Sequence, residues 1–374
     1  MAEDTPTSSG APETGSAGPH PPDPPSRFDP DDTAGPAHPT FVAPRDPGPR
    51  GRAGGNHRRG SVITPAQATA IVRRHVPPLP DEAGRVPAEG LTVTHSRKLY
   101  GGSINRVVEW VTDGRPGSIV AKLHNSRNVK SFRREMMSLQ TYRRHTTLPV
   151  PEPWAVLEDE PEFDGAGLLM EKIDGINLAD ARVSPRGMAY LQHQLARHLI
   201  DLHSHHRSTY GSALTDAGES RWLDNFGPMI EKEYHAVRSF LSSNSRWFID
   251  DLLQHLEDWL PEQSTPTLVH GDLWANNILV SDAHPDEPRV LAFIDGLASY
   301  CDPEYELAYL RMFRTADDSF FKMYRRHHPL RSGFSRRCRV YWLNTLMMHV
   351  RVFGERYVPA CEDMVQQLRQ VGRR

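Results

Sequence analysis

The chain has 374 residues and a formal net charge of −3, with 44 Lys and Arg set against 47 Asp and Glu. That length suits two domains or one bilobal domain, and the near-neutral balance gives no electrostatic reason to expect nucleic acid or an anionic membrane as partner. No run of about 18 apolar residues occurs and no basic-then-apolar leader opens the chain, so neither a transmembrane helix nor a secretory signal is expected.

Residues 1–60 hold about 13 of the 32 prolines, many glycines and almost no Leu, Ile, Val or aromatic residues. Such a stretch cannot bury enough apolar surface to offset its ordering entropy, and a disordered tail is expected. Its basic end, Arg50 to Arg59, reads as solvated. Order is expected from Thr64, an N-cap followed by Pro65 at the first helical position. Ala66 to His75 reads as a short helix stopped by Pro77-Pro78, and a linker follows from Pro80 to Gly90.

From Leu91 the pattern changes to short strands: Leu91–His95, Arg106–Val111, Ser118–Leu123, then Val156-Leu157 and Gly167–Met170. One helix, Phe132 to Arg144, interrupts them after the third, with Phe132, Met136, Leu139 and Arg143 on one side. The remainder is helical in pattern: Tyr190–His203, Met229–Leu241, Trp247–Leu260, Glu304–Phe313, Phe320–Arg326 and Arg337–Phe353. The expectation is an α+β, two-lobe architecture with a ligand between the lobes. Its boundaries are a tail at 1–60, a short helix and linker at 61–90, an N-lobe at 91–173 and a C-lobe at 174–374.

Polar residues then single out one stretch, Leu268-Val-His-Gly-Asp-Leu-Trp-Ala-Asn-Asn-Ile-Leu-Val280, where His270, Asp272 and Asn277 interrupt what reads as buried strand. Polar groups there must satisfy one another or converge on a ligand. Asp272 can take a proton or orient a hydroxyl. A second apolar run, Val290 to Ile294, ends in Asp295-Gly296, and a divalent cation could lie between Asp295 and the Asn277 amide oxygen. Upstream, Lys122 sits inside a strand, where a cation is costly unless it meets anions. Glu135 in the following helix is its natural partner. Before both comes the turn Gly101-Gly102-Ser103, whose backbone can approach a phosphate closely.

In chain order these are a Gly-rich turn, a strand Lys, a helix Glu, His-x-Asp-x-x-x-x-Asn and strand-Asp-Gly, the order of parts in protein kinases. The chain lacks a protein kinase's Arg at Gly271, its Phe-Gly after the metal Asp, and its activation segment. His270-Gly-Asp and Asp302-Pro-Glu-Tyr-Glu-Leu-Ala308 instead resemble the aminoglycoside phosphotransferase-like superfamily. Within it the chain is most similar to the fructosamine (ketosamine) kinases. That likeness rests on Gly101-Gly-Ser-Ile-Asn-Arg106, His270-Gly-Asp-Leu-Trp274, Glu306-Leu-Ala-Tyr-Leu-Arg-Met-Phe313 and the stretch from Phe321 to Phe353, and it spans Leu91 to Leu368. Three features depart from the family: Gly296 where Pro is common, Cys301-Asp-Pro303 where Gly-Asp-Arg is usual, and a Tyr210–Phe226 segment without the family's Gln-Asn pair.

The resemblance implies a bilobal protein-kinase-like fold, with a small mixed β-sheet N-lobe plus one helix and a larger helical C-lobe. It implies ATP and Mg2+ as cofactors and a small hydroxylated acceptor phosphorylated at a sugar 3-hydroxyl. Asp272, Asn277 and His270 would be catalytic, with His270 bracing the loop by hydrogen bonding. Gly101, Gly102, Ser103, Lys122, Glu135, Met170 and Lys172 would serve the nucleotide, and Asn277 and Asp295 the metal. Trp222 and Asp224 are candidates for the acceptor site; Trp274 is either core or a wall of the acceptor pocket. An aminoglycoside or amino alcohol is the alternative acceptor, and a non-catalytic kinase-like binding module is the rival class. His203, His205 and His206 read as exposed residues at a helix end rather than metal ligands. Cys301, Cys338 and Cys361 lack zinc-ligand spacing and read as reduced thiols of a cytoplasmic protein.

Overall fold

In the computed structural model, residues 63–77, 90–99, 105–127, 129–261, 264–281 and 283–372 are described. The first element, α1 (Pro65–His75), starts where the sequence places it. The Thr64 side chain accepts from the Gln67 backbone while the Gln67 side chain returns to the Thr64 backbone, a complete capping box. Five strands follow: β1 (Val93–Lys98), β2 (Arg106–Thr112), β3 (Ser118–His124), β4 (Pro153–Glu158) and β5 (Ala166–Glu171), with α2 (Lys130–His145) inserted after the third. They form one sheet in the order β1-β2-β3-β5-β4. Every pairing is antiparallel, so the sheet is not the mixed one expected. Each step joins strands that hairpins or the α2 excursion return in opposite directions, and no crossover makes a parallel pair.

Helix α1 is part of this lobe. Ile63, Ala68, Ile71 and Val72 are buried in one apolar cluster with Val93, Trp110, Ile119 and Leu169, and the Thr69 hydroxyl accepts from the Val93 backbone at 2.9 Å. A second, larger cluster runs without a break from Phe132, Leu139 and Tyr142 of α2 and Leu168 and Met170 of β5 into the C-terminal half. On α2 the buried side belongs to Phe132, Ser138, Leu139 and Tyr142. Arg143, expected there, instead donates to the Val150 carbonyl.

The C-terminal half is mainly helical. It comprises α3 (Pro185–Leu202), α4 (Trp222–Val237), α5 (Ser243–Gln254), α6 (Leu256–Trp259), α7 (Pro303–Met312), α8 (Asp318–Tyr324), α9 (Phe334–Phe353) and α10 (Val358–Val371). Between them lie β6 (Ile176–Asn177), β7 (Gly211–Ser212), β8 (Thr267–Val269), β9 (Ile278–Val280), β10 (Val290–Phe293) and β11 (Ser299–Cys301), in two small sheets ordered β10-β9-β6 and β7-β11-β8. Helix α4 begins seven residues before the expected Met229 and carries Pro228 inside it. Burial of Trp222 and Phe226 outweighs a proline penalty of about 3 kcal/mol. Among the described residues no helix is long and apolar enough to cross a membrane, and the three cysteines are free and buried.

Ile71 tests whether α1 belongs to the lobe or to a linker. It is fully buried, so Ile71→Ala should lower unfolding stability by about 2–4 kcal/mol, the range for a large-to-small change in a core. Urea unfolding of the full chain reads this; a loss under about 0.5 kcal/mol would make α1 an appendage.

Candidate active site

Lys122 lies on the middle strand, paired in register with Val107 of β2 and Leu168 of β5. Its side chain is only 8% exposed and its ammonium donates to both Glu135 of α2 and Asp295 of the C-terminal lobe. Burial alone would depress the lysine's pKa, but the two carboxylates outweigh it and hold the group above its ordinary value, so it stays charged. Burial and the Asp295 charge push Glu135 up against the pull of Lys122.

Asp295 follows β10, whose antiparallel pairing with β9 continues as the Ile294 amide donates to the Asn277 carbonyl at 3.0 Å. The ladder therefore brings the end of one strand beside the start of the other, and with them Asp295 and Asn277. Asp295 has φ of 64°, a left-handed conformation that Asp tolerates better than most residues. The next residue, Gly296, has no room for a side chain: a Cβ there would lie 2.8 Å from the Tyr142 ring and 2.9 Å from His270 Nε2. The Leu297 amide donates to the His270 carbonyl at 2.7 Å, tying the two loops together.

The loop from His270 to Asn277 joins β8 to β9. Gly271 has φ of 85°, and a Cβ would meet the Leu297 carbonyl at 2.9 Å, so glycine is required. Its amide donates to Glu306 Oε1 at 2.7 Å. The other oxygen of that buried carboxylate meets His203 Nε2 at 2.9 Å, and His203 Nδ1 meets the Tyr324 hydroxyl at 2.6 Å. His203 is thus buried in a polar chain bracing the loop, a correction to the exposed helix-end reading; its partners come from α7 and α8, about 100 residues away in sequence.

Within the loop, Asn277 Nδ2 donates to the Asp272 carbonyl at 2.8 Å and to Asp272 Oδ2 at 3.1 Å. The Tyr309 hydroxyl donates to Asp272 Oδ1 at 2.6 Å. Burial raises the Asp272 carboxyl, Tyr309 and Asn277 draw it back, and the balance leaves it at about 6. The same burial, with the neighbouring Asp272 charge, pushes the Tyr309 phenol well above its ordinary value, so it is the donor of the pair.

His270 is fully buried, and burial lowers its pKa, so the ring is neutral. The ring stacks on Tyr142 at 5.9 Å with planes 10° apart. It braces the loop by packing and through its own carbonyl, which accepts from the Leu297 amide. Tyr142 supplies the polar brace, its hydroxyl donating to the Val269 and His270 carbonyls at 3.2 Å each.

Gly101, Gly102 and Ser103 lie outside the described residues. Met170 is buried on β5, opposite Val120. Lys172 lies just after β5, its ammonium donating to the Ile173 carbonyl at 3.0 Å and Asp174 at 2.9 Å. Trp274 is half-buried and meets Phe313 at 5.9 Å, two residues beyond Asp272.

Trp222 is not a wall of the site. It is 2% exposed, packs on Tyr210, Phe226, Tyr305 and Tyr341, and donates its indole N–H to the Tyr341 hydroxyl at 3.1 Å. Tyr341 passes that order on to Asp302, the N-cap of α7. Asp224 is exposed on the first turn of α4. Among the described residues no three His, Cys, Asp or Glu side chains cluster as a metal site. The pattern of residue types pointed to neither Tyr309 nor Glu306 as a partner of the loop, although the helix carrying both is one of the family-like stretches.

Residues 230–371 match the profile of the Fructosamine kinase family. A probable ketoamine kinase of Enterococcus faecium is 25% identical over 282 residues, 72% of this chain and 93% of that protein. The ketosamine-3-kinase of Mus musculus is 26% identical over 304 residues, 69% of this chain and 89% of its own. A Thermobifida fusca crystal structure described as a fructosamine-3-kinase superposes with a TM-score of 0.60 at 20% identity, over 82% of this chain and 99% of that one. An aminoglycoside phosphotransferase in ternary complex with ADP and hygromycin B gives 0.54 at 19% identity, over 74% and 95%. The fold is the bilobal, protein-kinase-like one of those structures. Over residues 230–371 the chain is similar to the fructosamine kinase family, and over most of its length to proteins named ketoamine and ketosamine kinases.

The environment of Asp272 has a direct test. Its carboxyl should titrate with a midpoint near 6, followed by carbon-13 NMR of aspartate-labelled protein. A midpoint at the ordinary aspartate value of about 3.9 would show that the carboxylate is more open to water than the structure has it.

Proposed function

We propose that the protein is an ATP-dependent kinase that transfers the γ-phosphoryl group to a hydroxyl of a ketosamine. The observation that carries the reading is the meeting of Lys122, Glu135 and Asp295 with the Asp272–Asn277 loop at the lobe junction. It occurs in a chain whose relatives are named ketoamine, ketosamine and ribulosamine kinases.

Each group has work that its surroundings suit. Lys122, kept charged by two carboxylates, offers a fixed ammonium to the phosphates, and Glu135 keeps it in place. Asn277 turns its amide nitrogen to Asp272, which directs its oxygen elsewhere; Asp295, adjacent through the β9–β10 ladder, has a side chain 37% exposed. Two protein oxygens fit Mg2+, which takes one or two such ligands and fills its octahedron with water and phosphate. When bound, the cation would neutralise charge on the phosphates.

Asp272, ionised at neutral pH yet more basic than a free aspartate, orients the acceptor hydroxyl and takes its proton. The acceptor oxygen bonds to the γ-phosphorus, the bond to the β–γ bridging oxygen breaks, and that oxygen leaves with ADP. The proton passes from Asp272 to solvent. The three free, buried thiols support a cytoplasmic location.

A second reading keeps the chemistry and changes the acceptor to an aminoglycoside. It is favoured by the Tyr210–Phe226 segment, which lacks the family's Gln-Asn pair, and by the likeness to the hygromycin-bound phosphotransferase. Purified protein with magnesium-ATP should be offered fructosyl-lysine, ribulosyl-lysine, an aminoglycoside and choline. A ketosamine phosphorylated at the 3-hydroxyl, seen by mass spectrometry, is the expected result, with turnover at least ~100-fold lower in Asp272→Asn. Product from the aminoglycoside or choline alone would remove the ketosamine; a thermal shift by magnesium-ATP with no product from any acceptor would leave a binding module. Separately, Asp295→Ala should abolish magnesium-dependent ATP binding, and unchanged affinity by calorimetry would take the metal role away from it.

A further inference from the structure

We propose that Tyr309 is a positioning residue of the transfer, holding the Asp272 carboxylate in the orientation in which it meets the acceptor and coupling that orientation to the aromatic face of α7. The inference rests on the kinase reading above.

The two oxygens of Asp272 are held from different elements. Asn277, in the same loop, reaches Oδ2 at 3.1 Å; Tyr309, on α7, reaches Oδ1 at 2.6 Å, the length of a strong phenol-to-carboxylate bond. One donor on each oxygen fixes the plane of the group, and the closer one comes from outside the loop. The loop itself is fastened to α7 once already, through Gly271 and Glu306. Glu306 and Tyr309 are three residues apart on the helix, so one turn of α7 holds both the backbone of the loop and its carboxylate.

A tyrosine that only filled the core would end on a backbone carbonyl or a structural side chain. This hydroxyl ends on the carboxylate that faces the acceptor, and its residue is only half-buried. Its ring lies 4.5 Å from Phe313, which in turn meets Trp274. Tyr309 and Phe313 are one helical turn apart, and Trp274 is two residues from Asp272. A wall of this kind offers ring faces to the C–H side of a polyol while the hydroxyl sets the carboxylate beside it. The acceptor it suits is a sugar that presents a hydroxyl at the edge of an apolar face.

Tyr309→Phe keeps the ring and removes the hydroxyl. With fructosyl-lysine as acceptor it should lower kcat about tenfold, the scale of one lost hydrogen bond to a charged group. KM for magnesium-ATP and the thermal midpoint should stay at the parent's values. Tyr309→Leu, which removes the ring as well, should raise KM for fructosyl-lysine in addition. Parent-like kcat in Tyr309→Phe, with Asp272→Asn inactive, overturns the inference and leaves the kinase reading standing. A fall in ATP affinity and thermal midpoint in step with kcat also overturns it, because that is a packing role. An Asp272→Asn variant as active as the parent takes down both.

Discussion

The structure turns on a buried lysine. An ammonium buried on the middle strand of a sheet costs several kcal/mol unless anions replace its hydration. Lys122 obtains them from two directions, Glu135 on the helix packed against its own sheet and Asp295 in the other lobe. The requirement is mutual: burial raises the Glu135 carboxyl and the lysine beside it pulls it back. Removing the lysine would leave the buried Glu135 without its cation, and the triple contact helps set how β3, α2 and the loop after β10 lie relative to each other. The lobes are joined by an electrostatic necessity as well as by apolar packing.

Helix α2 carries that constraint into the rest of the site. Glu135, Ser138 and Tyr142 recur at the three- and four-residue spacing that puts side chains on one helical face. Glu135 takes Lys122, the Ser138 hydroxyl accepts from the Ala298 amide at 3.1 Å, and Tyr142 donates to the carbonyls of Val269 and His270. One face of one helix thus fixes the strand lysine, the segment after Asp295 and the start of the His270–Asn277 loop. From the opposite side Glu306 fixes the amide of Gly271, with His203 and Tyr324 behind it. The start of the loop is therefore held from two sides, by α2 and by α7, the kind of double support that keeps a site's side chains in register.

What the sequence made legible divides along a physical line. Lys122, Glu135, Asp272, Asn277 and Asp295 could be read because each is a polar residue in an apolar setting, where burial without a partner would be costly. Their order along the chain then supplied the partners. The strands of the N-lobe and the α1 N-cap were legible because alternation and capping are local. His203 and Trp222 were misplaced because their surroundings are built from residues roughly a hundred positions away, Glu306 and Tyr324 for one and Tyr341 for the other. Nothing near them in sequence distinguishes a buried histidine from an exposed one. Helix α4 was started late because Gly227-Pro228 is a breaker by local rules, overruled by the burial of Trp222 and Phe226. Helix α10 was available and passed over: Cys361, Met364, Val365 and Leu368 repeat at helical spacing and are all buried.

The two acids of the site show why residue type alone does not assign a role. Asp272 and Asp295 are both aspartates at strand-flanking positions, close enough for the charge of one to raise the other. Their neighbours differ in kind. Asp295 has a full positive charge beside it and an exposed side chain, so a second cation can share a carboxylate that is already tied to Lys122. Asp272 has only neutral donors, a phenol and an amide, in a more enclosed setting, and is held at about 6. A carboxylate stabilised by a cation is a poor base; one stabilised by neutral dipoles and partly desolvated is a better one. On the proposed reading the phenol of Tyr309 therefore does two things that pull against each other, orienting the base and slightly weakening it.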